Sequence, residues 1–230
     1  RVMNNQVGIK LADLGVPDSK IKLIPAIYVD LEVFKPLALE KKYDLIFIGR
    51  LVKNKGVDLL IDTIRILNSN YYLLNSKLLI VGDGPLKESL ELKVKSLKLE
   101  NNIVFYGWAK DQNEVAGLLN QSKILVMPSY NEGGPRVVAE AMACGLPILA
   151  TPVGIAASRP DADIASALSC PAWPLFTIDW DPKDIAEKAN HILTDEEGYK
   201  KFSQAGLKIS PKFEKKSAIK NYAERLQELV

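Results

Sequence analysis

Residues 123–151 read KILVMPSYNEGGPRVVAEAMACGLPILAT, and the fold is decided there. Lys123–Met127 is an apolar run of strand length. Pro128–Gly134 carries turn chemistry and ends in Gly133-Gly134. Pro135 suits a first helical turn, where its missing N–H and fixed φ cost nothing. Gly145 and Pro147 stop that helix, and LPILA resumes a buried strand. Between Val137 and Cys144 every residue is apolar or small except Glu140, so the helix is expected to be buried nearly all round. A carboxylate there needs a partner, because an unpaired buried charge costs several kcal/mol. Arg136, one turn earlier, is one candidate and a pair of ligand hydroxyls is another. Glu132 lies in the loop at the carboxyl end of the strand, the edge where open parallel sheets bind ligands.

Outward from this unit the chain alternates strands and helices. LIFI (45–48), KLLIV (77–81) and NIVFY (102–106) read as buried strands. Val57–Asn68, Leu86–Leu97 and Glu114–Asn120 read as the helices between them, with apolar residues at 57, 60, 61, 64 and 67 in the first. Pro174–Ile178 is read as a sixth strand, followed by helices over 182–194, 196–207 and 214–229. Upstream, residues 4–14 suggest a short helix and Lys20–Ile24 a strand before Pro25. This rhythm predicts an α/β fold, a Rossmann-like doubly wound parallel sheet of about six strands with helices on both faces. No internal repeat or low-complexity tract interrupts it.

Five blocks resemble, in order, the retaining glycosyltransferases of the GT-B fold, the glycogen-synthase-like and mannosyltransferase-like family four. They are LIPAIYVDLEVFKP (23–36), IGRLVKNKGVDLLI (48–61), LLIVGDGP (78–85), NIVFYGW (102–108) and the segment from Glu132 to Thr151. The last carries that family's E-x7-E signature as Glu132 and Glu140. The resemblance covers residues 20–155 well and the remainder loosely. It implies the carboxy-terminal, donor-binding half of a two-domain enzyme that transfers a hexose from a UDP-, GDP- or ADP-sugar to an acceptor hydroxyl. Residues 1–40 would then be the end of the N-terminal domain with its linker, packed on the domain edge, and 41–230 the donor domain. The acceptor-binding domain would lie outside this chain, which starts at Arg1 rather than Met, so the chain alone is expected to be inactive.

The same resemblance assigns roles residue by residue. Gly49, Arg50 and Lys55 match G-R-x4-K, and the two cations would hold the leaving diphosphate. A planar fork and a mobile point charge beside glycines suit that anion, although spacing alone favours the reading of Arg50 and Lys55 as solvated loop charges. Lys53 has no counterpart in the pattern. Gly133 and the helix start at Gly134, Arg136 and Val137, whose amides point outward, would form the second half of the diphosphate site. Many relatives have glycine where this chain has Pro135, which supplies no N–H. Glu132 would orient the transferred sugar and Glu140 the ribose; ion pairs of Glu132 with Arg50 or Lys55, and of Glu140 with Arg136, are the alternatives. Gly107 and Trp108 would line the base pocket, with Trp108 either stacking on the base or simply packing. The family's glycine-rich stretch and Asn-Gly turn after the fifth strand are replaced by VGIAASRPDADIASALSCPAW (153–173).

Composition excludes several other classes. Thirty basic residues against 28 acidic give a net charge of +2, too balanced for a dedicated nucleic-acid surface. The glycines of VGDGP (81–85) lack the G-x-G-x-x-G spacing of a nicotinamide site. No His/Cys cluster has zinc spacing, the single histidine, His191, falls on a surface helix, and no metal is expected. Cys144 and Cys170 make no disulfide framework. No apolar run reaches the ~20 residues of a membrane span. A cytoplasmic protein follows, its membrane contact at most peripheral through the absent domain. A sugar-nucleotide epimerase of the same architecture and a non-catalytic nucleotide-binding module are the alternative functions.

Overall fold

The computed structural model describes residues 5–22, 27–70, 75–134, 136–153 and 175–227. Six parallel strands form one sheet: β1 (Tyr43–Ile48), β2 (Leu78–Val81), β3 (Ile103–Gly107), β4 (Ser122–Met127), β5 (Ile148–Ala150) and β6 (Leu175–Thr177). Their order is β3-β2-β1-β4-β5-β6. The chain winds outward from β1 in one direction, then returns to its other side at β4. A crevice therefore opens between the loops that follow β1 and β4, at the carboxyl ends of the strands.

Alternation along the strands sorts the core into two layers. Leu45 and Phe47 of β1, with Ile124 and Val126 of β4, face helices α2 (Val57–Asn70), α3 (Lys87–Ser96) and α6 (Pro182–Thr194). Ile46, Leu125 and Met127 face α4 (Gln112–Asn120) and α5 (Arg136–Ala143) on the other side. Covered on both faces, the central strands tolerate no polar alternation, which is why they read as continuous apolar runs. Helix starts are set by side-chain caps: Asp111 accepts from Glu114 N–H for α4, Asp181 from Lys183 N–H for α6, and Asp195 from Gly198 N–H for α7 (Glu196–Ile209). The Asp111 cap starts α4 two residues before its expected Glu114.

Two expectations for the N-terminal segment change. Lys20–Ile24 is not a strand as far as it is described. Asp18–Lys20 forms a 3-10 turn after Pro17, and Ile21 N–H closes onto the Asp18 carbonyl at 3.0 Å, so the backbone is satisfied locally. Leu23 and Ile24 lie outside the described residues, as do Pro135, Pro174, Cys170 and most of the stretch 153–173. Helix α1 (Asn5–Asp13) packs less than expected, and none of its described side chains is buried. The packing is supplied instead by Ile27, Val29 and Phe34. Val29 pairs with the start of α8 (Lys215–Gln227), donating to Phe213 O (2.7 Å) and accepting from Lys215 N–H (2.9 Å). Buried Asn120 straps the same segment, donating to Lys35 O and accepting from Leu37 N–H. Ile219 on α8 is exposed.

The loops at the carboxyl edge are joined by backbone hydrogen bonds. Gly49 N–H reaches Val81 O (2.9 Å), Leu51 N–H reaches Asp83 O (2.9 Å) and Gly82 N–H reaches Gly107 O (2.7 Å). Gly82 has φ +134°, and a Cβ there would collide with the Gly49 carbonyl. Gly117, inside α4, has open space around it. Gly82→Ala should therefore lower stability by about 3 kcal/mol or more, combining strain with a backbone clash. Gly117→Ala should raise it by about 0.5–1 kcal/mol. Urea melts of the two variants check both signs.

Candidate functional site

The loops after β1 and β4 bring Arg50, Lys55 and Glu132 to the carboxyl edge of the sheet, and α5 carries Glu140. After β1 the chain runs through Gly49 and Arg50 to Leu51, which is fully buried and fixes the loop. A 3-10 turn, Lys53–Lys55, then closes on Gly56 at φ +61°, beside the Pro128 carbonyl, where a Cβ would not fit. That close approach brings Lys55 against the loop that follows β4. Tyr130 N–H donates to Asn54 O at 2.8 Å, locking the two loops one residue before Lys55.

Lys55 forms an ion pair with Glu132 through Oε1. Side-chain exposures of 17% and 10% put the pair well below the surface, where the charges are poorly screened. Ser129 Oγ donates to the same oxygen at 2.8 Å, which leaves Glu132 Oε2 open among the described residues. Of the two cations that spacing allowed, Lys55 takes the carboxylate. Arg50 is exposed, and its guanidinium has no hydrogen bond or ion pair among the described residues.

Glu140 is the opposite case. Its helix is buried along Val138, Ala139, Ala141, Met142 and Ala143, as its composition predicts, and its own side chain is only 12% exposed. Neither carboxylate oxygen has a hydrogen bond among the described residues. The nearest cation is Arg136, whose Nη2 stands 3.7 Å from Oε1, beyond hydrogen-bond reach. Burial pushes the Glu140 carboxyl above its ordinary range, and the Arg136 charge offsets this only in part. Arg136 is also held by Tyr28, its guanidinium 4.5 Å from the ring centre, and its Nε is buried without a partner among the described residues. Behind Glu140, burial raises the Cys144 thiol to about 12, so it is an inert, reduced side chain.

The remaining expected positions sit on the same edge. Gly107 ends β3 at φ +82°, its carbonyl tied to Gly82, and Trp108 follows at 60% exposure. Gly133 is exposed and Gly134 half-buried before α5, where Arg136 and Val137 carry first-turn amides that no intrahelical carbonyl satisfies. Lys53 is exposed on the turn. His191 is exposed on α6, its ring meeting the edge of Phe176. No group of three or more His, Cys, Asp or Glu among the described residues is arranged to hold a metal ion.

Sequence reasoning missed the residues behind Glu132. Ser129 is fully buried and its carbonyl accepts from Thr151 Oγ1 and from Trp180 Nε1, the latter at 3.1 Å. Trp180 also stacks on Tyr130, with planes 6° apart. A serine directly after Pro128 at a strand end is a faint signal, whereas Trp180 is 51 residues away and gives none.

Comparison with known proteins fits this geometry. An uncharacterised glycosyltransferase of Methanocaldococcus jannaschii is 30% identical over 184 residues, covering 80% of this chain and 48% of the relative. The chain thus spans about half the length of that relative. Among solved structures, the C-terminal domain of the group 1 glycosyl transferase LpcC from Francisella tularensis superposes with a TM-score of 0.66 at 25% identity, covering 81% of this chain and 99% of that one. Anabaena HepE in complex with UDP-glucose superposes with a TM-score of 0.78 at 19% identity, covering 99% of this chain and 63% of HepE, a likeness of fold. Residues 29–209 match the family described as glycosyl transferases group 1, and the chain belongs to that family.

Proposed function

We propose that this chain is the C-terminal, donor-binding half of a retaining hexosyltransferase of family four, with residues 41–230 as the donor domain and 1–40 as linker and the end of the first domain. The observation that carries the reading is the crevice itself. It sets a cation, Lys55, against a carboxylate, Glu132, while a second, desolvated carboxylate, Glu140, stands without a hydrogen bond, and Glu132 keeps one oxygen open, among the described residues. A nucleoside diphosphate sugar supplies what each group lacks. Its diphosphate offers Arg50 and Lys55 their anion, its ribose offers hydroxyl donors to Glu140, and its sugar hydroxyls meet Glu132. Carboxylates accept two such hydrogen bonds each.

In this reading the C1–O bond to the diphosphate breaks with the electron pair leaving on phosphate, an acceptor hydroxyl oxygen forms the new bond on the same face, and its proton passes to the departing phosphate oxygen. Arg50, Lys55 and the amides at the start of α5 stabilise the charge that grows on the leaving group. Gly49 and Gly107 let backbone approach the nucleotide, with Trp108 beside the base. Membership of the group 1 family supports the donor class, and a fold neighbour in complex with UDP-glucose, HepE, supports a nucleotide sugar as the ligand. The structure of LpcC's C-terminal domain supports the placement in the chain. The enzyme is then cytoplasmic, and any contact with the inner face of the membrane belongs to the acceptor-binding half.

Calorimetric titration of the chain with UDP-, GDP- and ADP-sugars, with the matching diphosphates and nucleosides, tests the reading. One nucleotide series should bind, without sugar transfer by this chain alone. Arg50→Ala and Lys55→Ala should each weaken the diphosphate about ten- to a hundredfold while leaving the nucleoside within about threefold. Equal losses for both ligands would place the diphosphate elsewhere. Glu132→Gln should act differently, because it frees Lys55 from its internal partner. Diphosphate affinity should hold or rise, and only the sugar-bearing donor should bind more weakly.

Glu140 adds a pH dependence. Its folded carboxyl titrates above the ordinary range, so in the empty site it destabilises the fold at neutral pH, and that cost is relieved as pH falls through the raised value. Ribose hydroxyls donate to the charged form, so binding should release a proton in this window and affinity should fall with falling pH. Glu140→Gln should flatten the profile and weaken diphosphate and sugar nucleotide alike. A wild-type profile no steeper than that of Glu140→Gln would remove the ribose from this residue.

A further inference from the structure

The peptide plane between Ser129 and Tyr130 is held from three directions. Its carbonyl accepts from Thr151 Oγ1 on the β5 side and from Trp180 Nε1 on the approach to α6. Its N–H donates to Asn54 O in the loop after β1 at 2.8 Å. Both lone pairs of the carbonyl are thereby used, and the peptide has no rotational freedom left. From this fixed point Ser129 Oγ reaches Glu132 Oε1, and Asn54 is the residue directly before Lys55. Tyr130 adds a ring stacked on Trp180 at 5.8 Å between centroids. Ser129 and Thr151 are fully buried, so neither exchanges these bonds with solvent.

We infer that Ser129 and Trp180 are positioning residues that set the sugar-facing orientation of Glu132, an inference that rests on the donor-site reading above. Three separate loops converge on one peptide that neither carries charge nor lines the diphosphate side of the crevice. Stability of the loop alone would need only the Asn54 and Thr151 bonds. The Ser129 hydroxyl does something further. It occupies one carboxylate oxygen, turns the Glu132 plane, and leaves Oε2 as the acceptor for a ligand hydroxyl. Trp180 acts one step back by holding the carbonyl that fixes where the Ser129 side chain starts. Because Glu132 faces the sugar and not the nucleotide, this arrangement bears on recognition of the sugar moiety alone.

The test separates that role from a structural one by a ratio. Affinities for UDP and UDP-glucose are measured by calorimetry in the wild-type chain, Ser129→Ala and Trp180→Phe; the guanosine or adenosine pair replaces them if wild type prefers it. The phenyl ring keeps the stack on Tyr130 and loses only the indole donor. Each variant should lower the preference for sugar nucleotide over diphosphate about fivefold, the size of one hydrogen bond, with diphosphate affinity within about twofold. In a Glu132→Ala background both substitutions should leave the preference unchanged, since nothing remains to be oriented. An unaltered preference in both variants, equal weakening of the two ligands, or a loss that persists without Glu132 would each overturn the positioning role. A wild-type chain that binds no nucleotide of any series would instead overturn the donor site, and this inference with it.

Discussion

The structure depends on how closely backbone approaches backbone at the carboxyl edge of the sheet. Gly82 lies against the Gly49 carbonyl, Gly84 against Leu51, and Gly56 against the Pro128 carbonyl, and a Cβ at any of the three would collide. These contacts draw the loops after β1, β2 and β4 into one surface, and Gly82 extends it to β3 through its bond to Gly107 O. Each N–H that turns inward finds a carbonyl on the neighbouring loop, so the surface is rigid without a regular element of its own. Lys55 meets Glu132 because Gly56 can adopt φ +61° beside Pro128.

On that scaffold the two glutamates, eight residues apart, stand in different electrostatic states. Glu132 is charge-compensated by Lys55 and hydrogen-bonded by Ser129. Glu140 is desolvated, at hydrogen-bond distance from nothing among the described residues, and its carboxyl is raised. Arg136 offsets this only in part, because its Nη2 stands 3.7 Å from Oε1 while its guanidinium lies over Tyr28. A group left this way costs the empty protein stability, and such groups concentrate at functional sites. The orphaned Arg136 Nε beside it points to the same conclusion.

Much of this was legible in the sequence because it is written in local pattern. The parallel sheet followed from apolar runs alternating with helical spacing, and the unusual character of α5 from one charge on an otherwise apolar helix. Both alternative ion pairs were foreseen as partners, but not which cation Glu132 would choose. Spacing places Arg50 and Lys55 on one loop; only the Gly56 turn, packed on Pro128, decides that Lys55 faces inward. The strand expected at Lys20–Ile24 failed for a related reason. As far as that segment is described, Pro17-Asp18 gives Lys20 and Ile21 a local turn instead of an extended partner. Trp180 was invisible because its role is defined by a carbonyl 51 residues away.

In the proposed reading, the two states of the glutamates also order the events at the site. An incoming diphosphate competes with Glu132 for Lys55, so phosphate binding and release of the sugar-facing carboxylate are one step. Arg50, exposed and without an internal partner, can receive the diphosphate before that exchange. Glu140 needs no exchange, only a donor, and the ribose hydroxyls bring it. The Ser129 bond persists throughout, since it involves neither cation. Glu132 therefore loses its counter-ion without losing its orientation, and the charge that held Lys55 becomes available to the sugar at the moment the leaving group is gripped.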